Sequence, residues 1–433
     1  MTLLMTVIGI VVFVFGLLFS IAWHEAGHLA MGKLFGVRVP QYMVGFGKTL
    51  WSKKIGETEY GLKAIPAGGY CRLIGMFPPD DQGRVKAKST SPWRSMIEEA
   101  REASYEEVGP GDETRMFYTR KPWQKFLIML AGPAMNLVLG VAILTGTWMF
   151  YGINQPSTKV AVVTDCVVPA SDASRECKAD DAAAPGKAAG LKVGDRIVEF
   201  GGVPVNSYTD LQPLIRKSSG QVTVVVERDG QRVTLTPTIA QNELAKLDGN
   251  GQAIDGKYVR SGFLGFSPLI ERNTLGVGGV VDEMGTYIDK SIEGLARIPQ
   301  KVPALWGAAF QGEERDKDSP VGMVGAARIG GEVLAADAPA TDRIFYFVQI
   351  LAMVNIGLFL FNMLPLLPLD GGHMVGALWE SLRRRVARMF RRPDPGPFDV
   401  AKLMPVAYAV AMVFIGFTVL VLIADLVNPV KVT

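Results

Sequence analysis

Four long apolar runs divide the chain, and polar or charged stretches separate them. Each run is long enough to cross the roughly 30 Å hydrocarbon core of a bilayer as a helix. The pattern predicts membrane spans over residues 3–23, 126–151, 344–367 and 404–427. A secretory signal peptide is the alternative for the first run, but no positive charge precedes that run and no small-residue cleavage site follows it. We therefore expect a multi-pass α-helical membrane protein with four transmembrane helices.

The composition adds a polar part to this picture. Of the 433 residues, 48% are hydrophobic, which is high for a soluble enzyme, and 20% are charged, which is high for a bare helical bundle. The charged residues must therefore be concentrated between the spans. A net charge of +3 favours no class of partner, and no nucleic-acid partner is expected.

Basic residues flank the spans unevenly. They follow the first span at Lys33 and Arg38, precede the second over 120–125, and form an arginine run over 383–392 between the third and the fourth. Because cytoplasmic flanks carry an excess of Lys and Arg, these flanks are expected in the cytoplasm. Both termini and residues 152–342 then lie outside. The arginine run is also suited to anionic lipid, so membrane lipid is an expected partner.

A metal-site pattern stands at the end of the first run, where the sequence reads His24-Glu25-Ala26-Gly27-His28. Residues i and i+4 lie on one face of a helix, so both histidines can bind one zinc ion while Glu25 serves as the acid/base of a metalloprotease. Two of the three histidines in the chain lie here. The alternative is a pair of ordinary core or interfacial histidines.

A second cluster supplies the third ligand of such a site. Catalytic zinc is held by three protein ligands and keeps one position open. Asp370 is favoured because a carboxylate binds zinc well and two glycines follow it, and His373 is the competing candidate. An isolated charge near the bilayer centre costs at least ~2.5 kcal/mol, so Glu25 and Asp370 are functional candidates.

The two clusters together resemble the site-2 protease family of intramembrane zinc metalloproteases, especially its bacterial regulator-of-sigma-E protease group. The resemblance rests on the His-Glu-Ala-Gly-His motif at 24–28, Gly-Pro-Ala-Met-Asn at 132–136, and Asn-Met-Leu-Pro-Leu-Leu-Pro-Leu-Asp-Gly-Gly at 362–372. It implies one zinc ion bound by His24, His28 and Asp370, with Glu25 as the catalytic residue.

The resemblance also implies a set of residues near the substrate backbone. They are Asn362, Pro365 and Pro368, and the motif at 132–136 with Asn136 has a structural or substrate-contacting role. Both prolines interrupt the helical hydrogen bonds of the third span, and such irregular backbone is tolerated in a membrane only where protein or a cavity covers it. A plain proline kink is the alternative. A membrane-re-entrant β-hairpin after the first span is implied as well.

The region between the second and third runs contains a compact module. Turn and strand signals over 185–205, a helix pattern over 210–217 and a hairpin around Asp229-Gly230 are typical of a PDZ domain, expected over 156–242. A small β-rich domain without peptide binding is the alternative. A PDZ groove can bind a peptide end by strand addition or can act as a size filter.

The expected fold class is thus a four-helix membrane protein with a membrane-associated β-hairpin and an inserted extracytoplasmic PDZ-like α+β domain. Residues 1–151 form the first half of the membrane protease domain, 243–342 an extracytoplasmic extension with an amphipathic helix, and 343–433 the second half. Cys166 and Cys177 both fall in the outside region and are candidates for a disulfide. Cys71 is expected to be an ordinary small apolar residue.

These features predict an intramembrane zinc metalloendopeptidase in a bacterial cell membrane, with its active site near the cytoplasmic leaflet. From the resemblance alone, the substrate is a single-pass membrane protein of the anti-sigma factor type, cut after an earlier outside cleavage to activate a transcriptional stress response. A catalytically silent PDZ-bearing adaptor is one alternative, against which the intact Glu25 argues. A membrane zinc protease of unrelated fold that cuts soluble or misfolded proteins is another, against which the proline-flanked Asp370 argues. The oligomeric state is left open.

Overall fold

The computed structural model describes residues 2–80, 83, 85, 91–172, 175–178, 180–247, 253–316 and 318–430. The chain divides into two compact units. One, the membrane unit, comes from both ends of the chain, up to Thr147 and from Glu283 onward, and the other is the inserted unit Trp148–Asp282.

The first half of the membrane unit contains three helices and one hairpin. They are α1 (Thr2–Leu34), β1 (Gln41–Ile55), β2 (Thr58–Arg72), α2 (Pro92–Tyr105) and α3 (Pro122–Phe150). The strands β1 and β2 pair antiparallel with several irregularities of register. Helices α1 and α3 approach each other closely at Gly27, where an added Cβ would lie 2.4 Å from the carbonyl oxygen of Ala131. Small residues allow such close contact between membrane helices.

The inserted unit consists mainly of β-structure. Its elements are β3 (Ile153–Val163), α4 (Pro185–Ala188), β4 (Arg196–Phe200), β5 (Val203–Pro204), α5 (Tyr208–Lys217), β6 (Gly220–Gln221), β7 (Val224–Arg228), β8 (Gln231–Leu235), β9 (Thr238–Leu247), β10 (Ala253–Phe263) and β11 (Phe266–Asn273). One sheet has the order β11-β3-β4-β7-β8 with β5 beside β4, and the other has the order β10-β9-β6. Alternating inward side chains such as Val224 and Val226 build a buried apolar core with Leu211 of α5.

The inserted unit extends beyond residue 242. The reason is long-range pairing, because β11 returns to pair antiparallel with β3, from Phe266 opposite Val163 to Asn273 opposite Ile153. The unit also contains a disulfide between Cys166 and Cys177.

The second half of the membrane unit is helical. Its helices are α6 (Val277–Phe310), which starts in the inserted unit, α7 (Met323–Ala335), α8 (Ala340–Asn362), α9 (Asp370–Met389) and α10 (Met404–Val427). Helix α7 packs on α1 through glycines, since an added Cβ at Gly9 would lie 2.7 Å from the Cα of Gly331. The expected amphipathic stretch lies within α6.

Four helices among the described residues are long and apolar enough to cross a membrane, as expected: Leu3–Leu34, Pro122–Phe150, Ala340–Asn362 and Val400–Val427. The ends of two spans differ from those expected. The first helix continues to Leu34 rather than 23, because the histidine motif extends it. The third ends at Asn362 rather than 367, because Pro365 and Pro368 cannot continue a helix, and Asp370 begins a separate one.

Candidate metal centre and active-site cavity

Three donor atoms from two distant parts of the chain meet beside α1. Asp370 Oδ2 lies 3.2 Å from His24 Nε2 and 3.4 Å from His28 Nε2. The two Nε2 atoms are 3.2 Å apart. Both histidines are buried, and no other described residue belongs to this group of potential metal ligands. The structure thus brings together the three residues that the motifs implied as ligands, and His373 does not belong to this group of donors.

The spacing of these atoms fits a zinc ion. Zinc–nitrogen and zinc–oxygen bonds of about 2.0–2.1 Å in a tetrahedron put neighbouring ligand atoms about 3.3–3.4 Å apart, which matches the three separations. The buried Oδ2 of Asp370 has no hydrogen-bond partner. An unpaired buried carboxylate oxygen costs free energy, and a cation at this point would satisfy it.

The second ring nitrogen of each histidine has its own contact. His28 Nδ1 lies 2.8 Å from the carbonyl oxygen of Ile128, so the proton belongs on Nδ1 and the lone pair on Nε2. His24 Nδ1 lies 3.3 Å from the side-chain amide of Asn136, whose Oδ1 is buried without a partner. Turning this amide over would let Oδ1 accept the Nδ1 proton of His24, and both nitrogen lone pairs would then face the same point.

The close approach of α3 to the two histidines explains why residue 132 is a glycine. An added Cβ there would lie 2.2 Å from His28 Nε2 and 2.7 Å from His24 Nε2. Even an alanine would therefore occupy the space between the donor atoms. The motif at 132–136 thus supplies the backbone wall of the metal centre as well as Asn136.

The turn after α8 places Asp370 at the centre. Both glycines after Asp370 lie against the backbone of this turn. An added Cβ at Gly371 would be 2.1 Å from the carbonyl oxygen of Leu364. One at Gly372 would be 2.7 Å from the amide nitrogen of Leu367. Only glycines permit this approach. Asp370 consequently occupies the first turn of α9 and points back toward α1.

Glu25 lies beside the donors and against β2. An added Cβ at Gly69 would lie 3.3 Å from Glu25 Cγ. Glu25 opens into a cavity of about 630 Å³ that also contains the three donor residues. A carboxylate in this place can exchange a proton with a molecule held near the donors.

The cavity walls come from several elements. They include β2 over Gly68–Arg72, Ala100, Ala103 and Ser104 of α2, and Met129 of α3. Of the residues expected near a substrate, Asn136, Asn362 and Pro368 line the cavity, whereas Pro365 is exposed and is not part of the lining. His373 is also a wall residue, with its ring centroid 6.4 Å from that of Phe77.

Two supporting features had no recognisable sequence signal. Helix α2, which lies in a polar segment, covers one side of the cavity. It is held to the second half of the unit by Arg101, whose guanidinium lies 2.8 Å from Asp399. Lys125 of α3 and Glu380 of α9 form a buried ion pair at 2.7 Å. The Lys125–Glu380 pair joins α3, which lies against the histidines, to α9, which begins with Asp370.

Comparison with known proteins agrees with this centre. The model of peptidase family M50 matches residues 12–392. The zinc metalloprotease Rip1 of Mycolicibacterium smegmatis is 33% identical, with 98% of each chain covered, and Rip1 of Mycobacterium tuberculosis is 32% identical, with 99% of each covered. These matches confirm the expected enzyme class, a zinc metallopeptidase, and its zinc cofactor. The chain belongs to peptidase family M50, which confirms the resemblance to site-2 proteases.

Proposed function

We propose that this peptidase cuts a membrane-anchored regulator within or next to its transmembrane segment, at a zinc site held by His24, His28 and Asp370. The observation that carries the proposal is the position of the donor group. Both histidines lie in a continuous 32-residue apolar helix, one turn or more before its end at Leu34. A substrate bond that reaches these atoms must enter the membrane-spanning part of the protein.

The chain's own residues have separate tasks in the reaction. Zinc, when bound, acts as a Lewis acid that polarises the scissile carbonyl and makes water a nucleophile near neutral pH. Glu25 accepts the proton of the attacking water and delivers it to the leaving amine. Ile128 and Asn136 hold the two imidazole rings in their orientations.

Substrate handling is proposed for two irregular segments of the cavity wall. A transmembrane helix has its carbonyl groups tied up in internal hydrogen bonds, so it must unwind before cleavage. Strand β2, which lines the cavity with Gly68–Arg72, is suited to pair with an extended segment. The turn with Asn362 and Pro368 borders the same space.

The proposed topology follows from the basic flanks, with the metal centre near the cytoplasmic leaflet and the inserted unit and both termini outside. The disulfide between Cys166 and Cys177 supports an oxidising compartment for that unit. We take the unit as PDZ-like. In it, the edge strand β11 lies beside α5, with the rings of Tyr208 and Phe266 6.2 Å apart and a groove of about 200 Å³.

An anti-sigma factor, cut after a first outside cleavage, is the substrate class that the family resemblance implies. Release of its cytoplasmic fragment would activate a transcriptional response.

The test uses the purified protein in lipid vesicles with a single-pass substrate and, separately, an unfolded soluble protein. The Glu25→Gln variant should retain zinc and lose cleavage of the single-pass substrate, whereas Glu314→Gln, at an exposed position, should keep both. Cleavage by Glu25→Gln would refute the acid/base role. Preference for the soluble substrate, or no cleavage of the single-pass substrate by the wild-type zinc form, would refute the proposed substrate class.

A further inference from the structure

Helix α9 has an exposed apolar stripe outside the active site. Seven large apolar side chains in and next to it are 42–71% exposed: Val375, Leu378, Trp379, Leu382, Val386, Met389 and Phe390. Their spacing of three and four residues puts them on one face of the helix. The opposite face is buried, with Gly376, Ala377 and Glu380 packed against the rest of the membrane unit. The stripe is therefore unpartnered within the described chain.

The stripe is bordered by arginines. Arg383 and Arg385 lie on either side of it by helical position, and Arg388 and Arg392 follow toward the end of the helix. Arg383 is held at the carbonyl of Pro395, at 2.9 Å. The side chains of the exposed Arg385, Arg388, Arg391 and Arg392 form no ion pair or hydrogen bond with the part of the chain that the structure describes.

This combination distinguishes α9 from the four spanning helices. Each of those helices contains a long apolar stretch with at most two charged residues, whereas α9 combines one apolar stripe with a dense set of unpaired cations. A helix of this kind lies in the plane of a membrane surface, with its apolar side chains among the acyl chains and its basic side chains at the headgroups. Long arginine side chains reach the headgroup level from such positions.

We propose that α9 is an interfacial helix that binds the membrane leaflet beside it through anionic lipid headgroups. Charge complementarity identifies the occupant, because four exposed guanidinium groups without protein partners match lipid phosphates that carry net negative charge. A neutral apolar partner would leave these groups unused. The inference does not depend on the proposed substrate or on cleavage.

The lipid contact is joined directly to the metal centre. Asp370 is the first residue of α9, and Val375, the first residue of the stripe, follows it by little more than one helical turn. A leaflet that holds the stripe also restricts the helix that carries this ligand. Anionic lipid is thus expected to raise zinc retention.

The experiment uses the full chain in nanodiscs of phosphatidylcholine alone or with phosphatidylglycerol. Lipids brominated near the headgroup should quench the fluorescence of Trp379, read as the difference between the wild type and Trp379→Phe, since the chain contains seven tryptophans. Quenching and zinc retention against a chelator should both rise with phosphatidylglycerol. A variant with Arg385, Arg388 and Arg392 changed to Gln should lose this rise, since each surface arginine contributes roughly fivefold to headgroup association.

A matched control carries the same change of charge at exposed arginines elsewhere, Arg94, Arg232 and Arg260, and should behave as the wild type. Absence of Trp379 quenching, or quenching and zinc retention that do not depend on phosphatidylglycerol, would overturn the proposal. The proposal would also be overturned if both triple variants lost the rise with phosphatidylglycerol to the same extent. If a second copy covers the stripe instead, Trp379 will be shielded from brominated chains and a dimer will form whose amount follows the protein-to-lipid ratio.

Discussion

The buried ion pair between Lys125 and Glu380 offers a quantitative test of how the metal centre is supported. The Nζ–Oε2 distance is 2.7 Å, and the side chains are only 6% and 1% exposed. Changing Lys125 to Met keeps the length of the side chain and removes the charge. Glu380 would then remain buried as a carboxylate without its nearest cation.

The size of the effect can be worked from the contacts. At 2.7 Å and an effective dielectric of about 20, the attraction is about 6 kcal/mol. Much of it is offset by the desolvation of both groups, and removing one partner of a buried pair typically costs about 3–5 kcal/mol. Glu380 keeps Arg384 at 3.0 Å and the backbone N–H of Phe398 at 3.1 Å. We therefore expect Lys125→Met to lower the free energy of unfolding by the low end of this range, about 3 kcal/mol, or on the order of 100-fold in the unfolding equilibrium.

The assay is reversible unfolding of the zinc-loaded protein in mixed micelles, with chelator resistance measured in parallel. Lys125→Met should lower the free energy of unfolding and release zinc earlier, because Asp370 belongs to the same helix as Glu380. The double variant with Glu380→Met should recover most of the loss, since a matched apolar pair leaves no buried charge. Lys121→Met, at an exposed lysine just before α3, is the control. A loss no larger than in that control, or additive losses in the double variant, would refute this account.

Two further substitutions test the centre itself. Gly132→Ala should abolish high-affinity zinc binding because the new methyl group would lie 2.2 Å from His28 Nε2. Gly146→Ala in the same helix, where the added Cβ has no atom within 4 Å, is the control and should keep zinc binding. Zinc content is measured by elemental analysis after dialysis, and a normal content in Gly132→Ala would contradict the geometry. Asn136→Leu removes the partner of His24 Nδ1 and should weaken zinc binding about 10- to 100-fold in competition with a chelator, and unchanged affinity would mean that Asn136 does not orient the ring.

The sequence predicts those parts of the molecule that depend on local patterns. Apolar runs of sufficient length predicted the four candidate spans among the described residues, and the histidine spacing predicted two of the three clustered donor residues, because each signal is contained in one helix. Asp370 was separated from His373 by zinc chemistry and the family resemblance together. The helix ends were less accurate, since they depend on where a proline turn begins and on how far a motif extends a helix.

What the sequence could not predict depends on long-range contacts. Nothing near Lys125 indicates a partner 255 residues later, and nothing in the polar segment of α2 indicates that it covers the cavity. The glycine at 132 was visible as part of a motif, but its role appears only when α3 lies against the two histidines. The extent of the inserted unit depended likewise on the return of β11 to β3.

Because α1 is an unbroken helix, distances along its axis predict where the substrate is cut. In the proposed topology, Lys33 in the last turn of α1 marks the level of the lipid headgroups. At a rise of about 1.5 Å per residue, His28 and His24 lie about 7 and 14 Å deeper along the helix axis. A substrate segment extended at about 3.3 Å per residue covers that distance in about two to four residues. The scissile bond should therefore fall only a few residues inside the membrane boundary of the substrate, whatever its sequence, and only that short end of the substrate helix has to unwind.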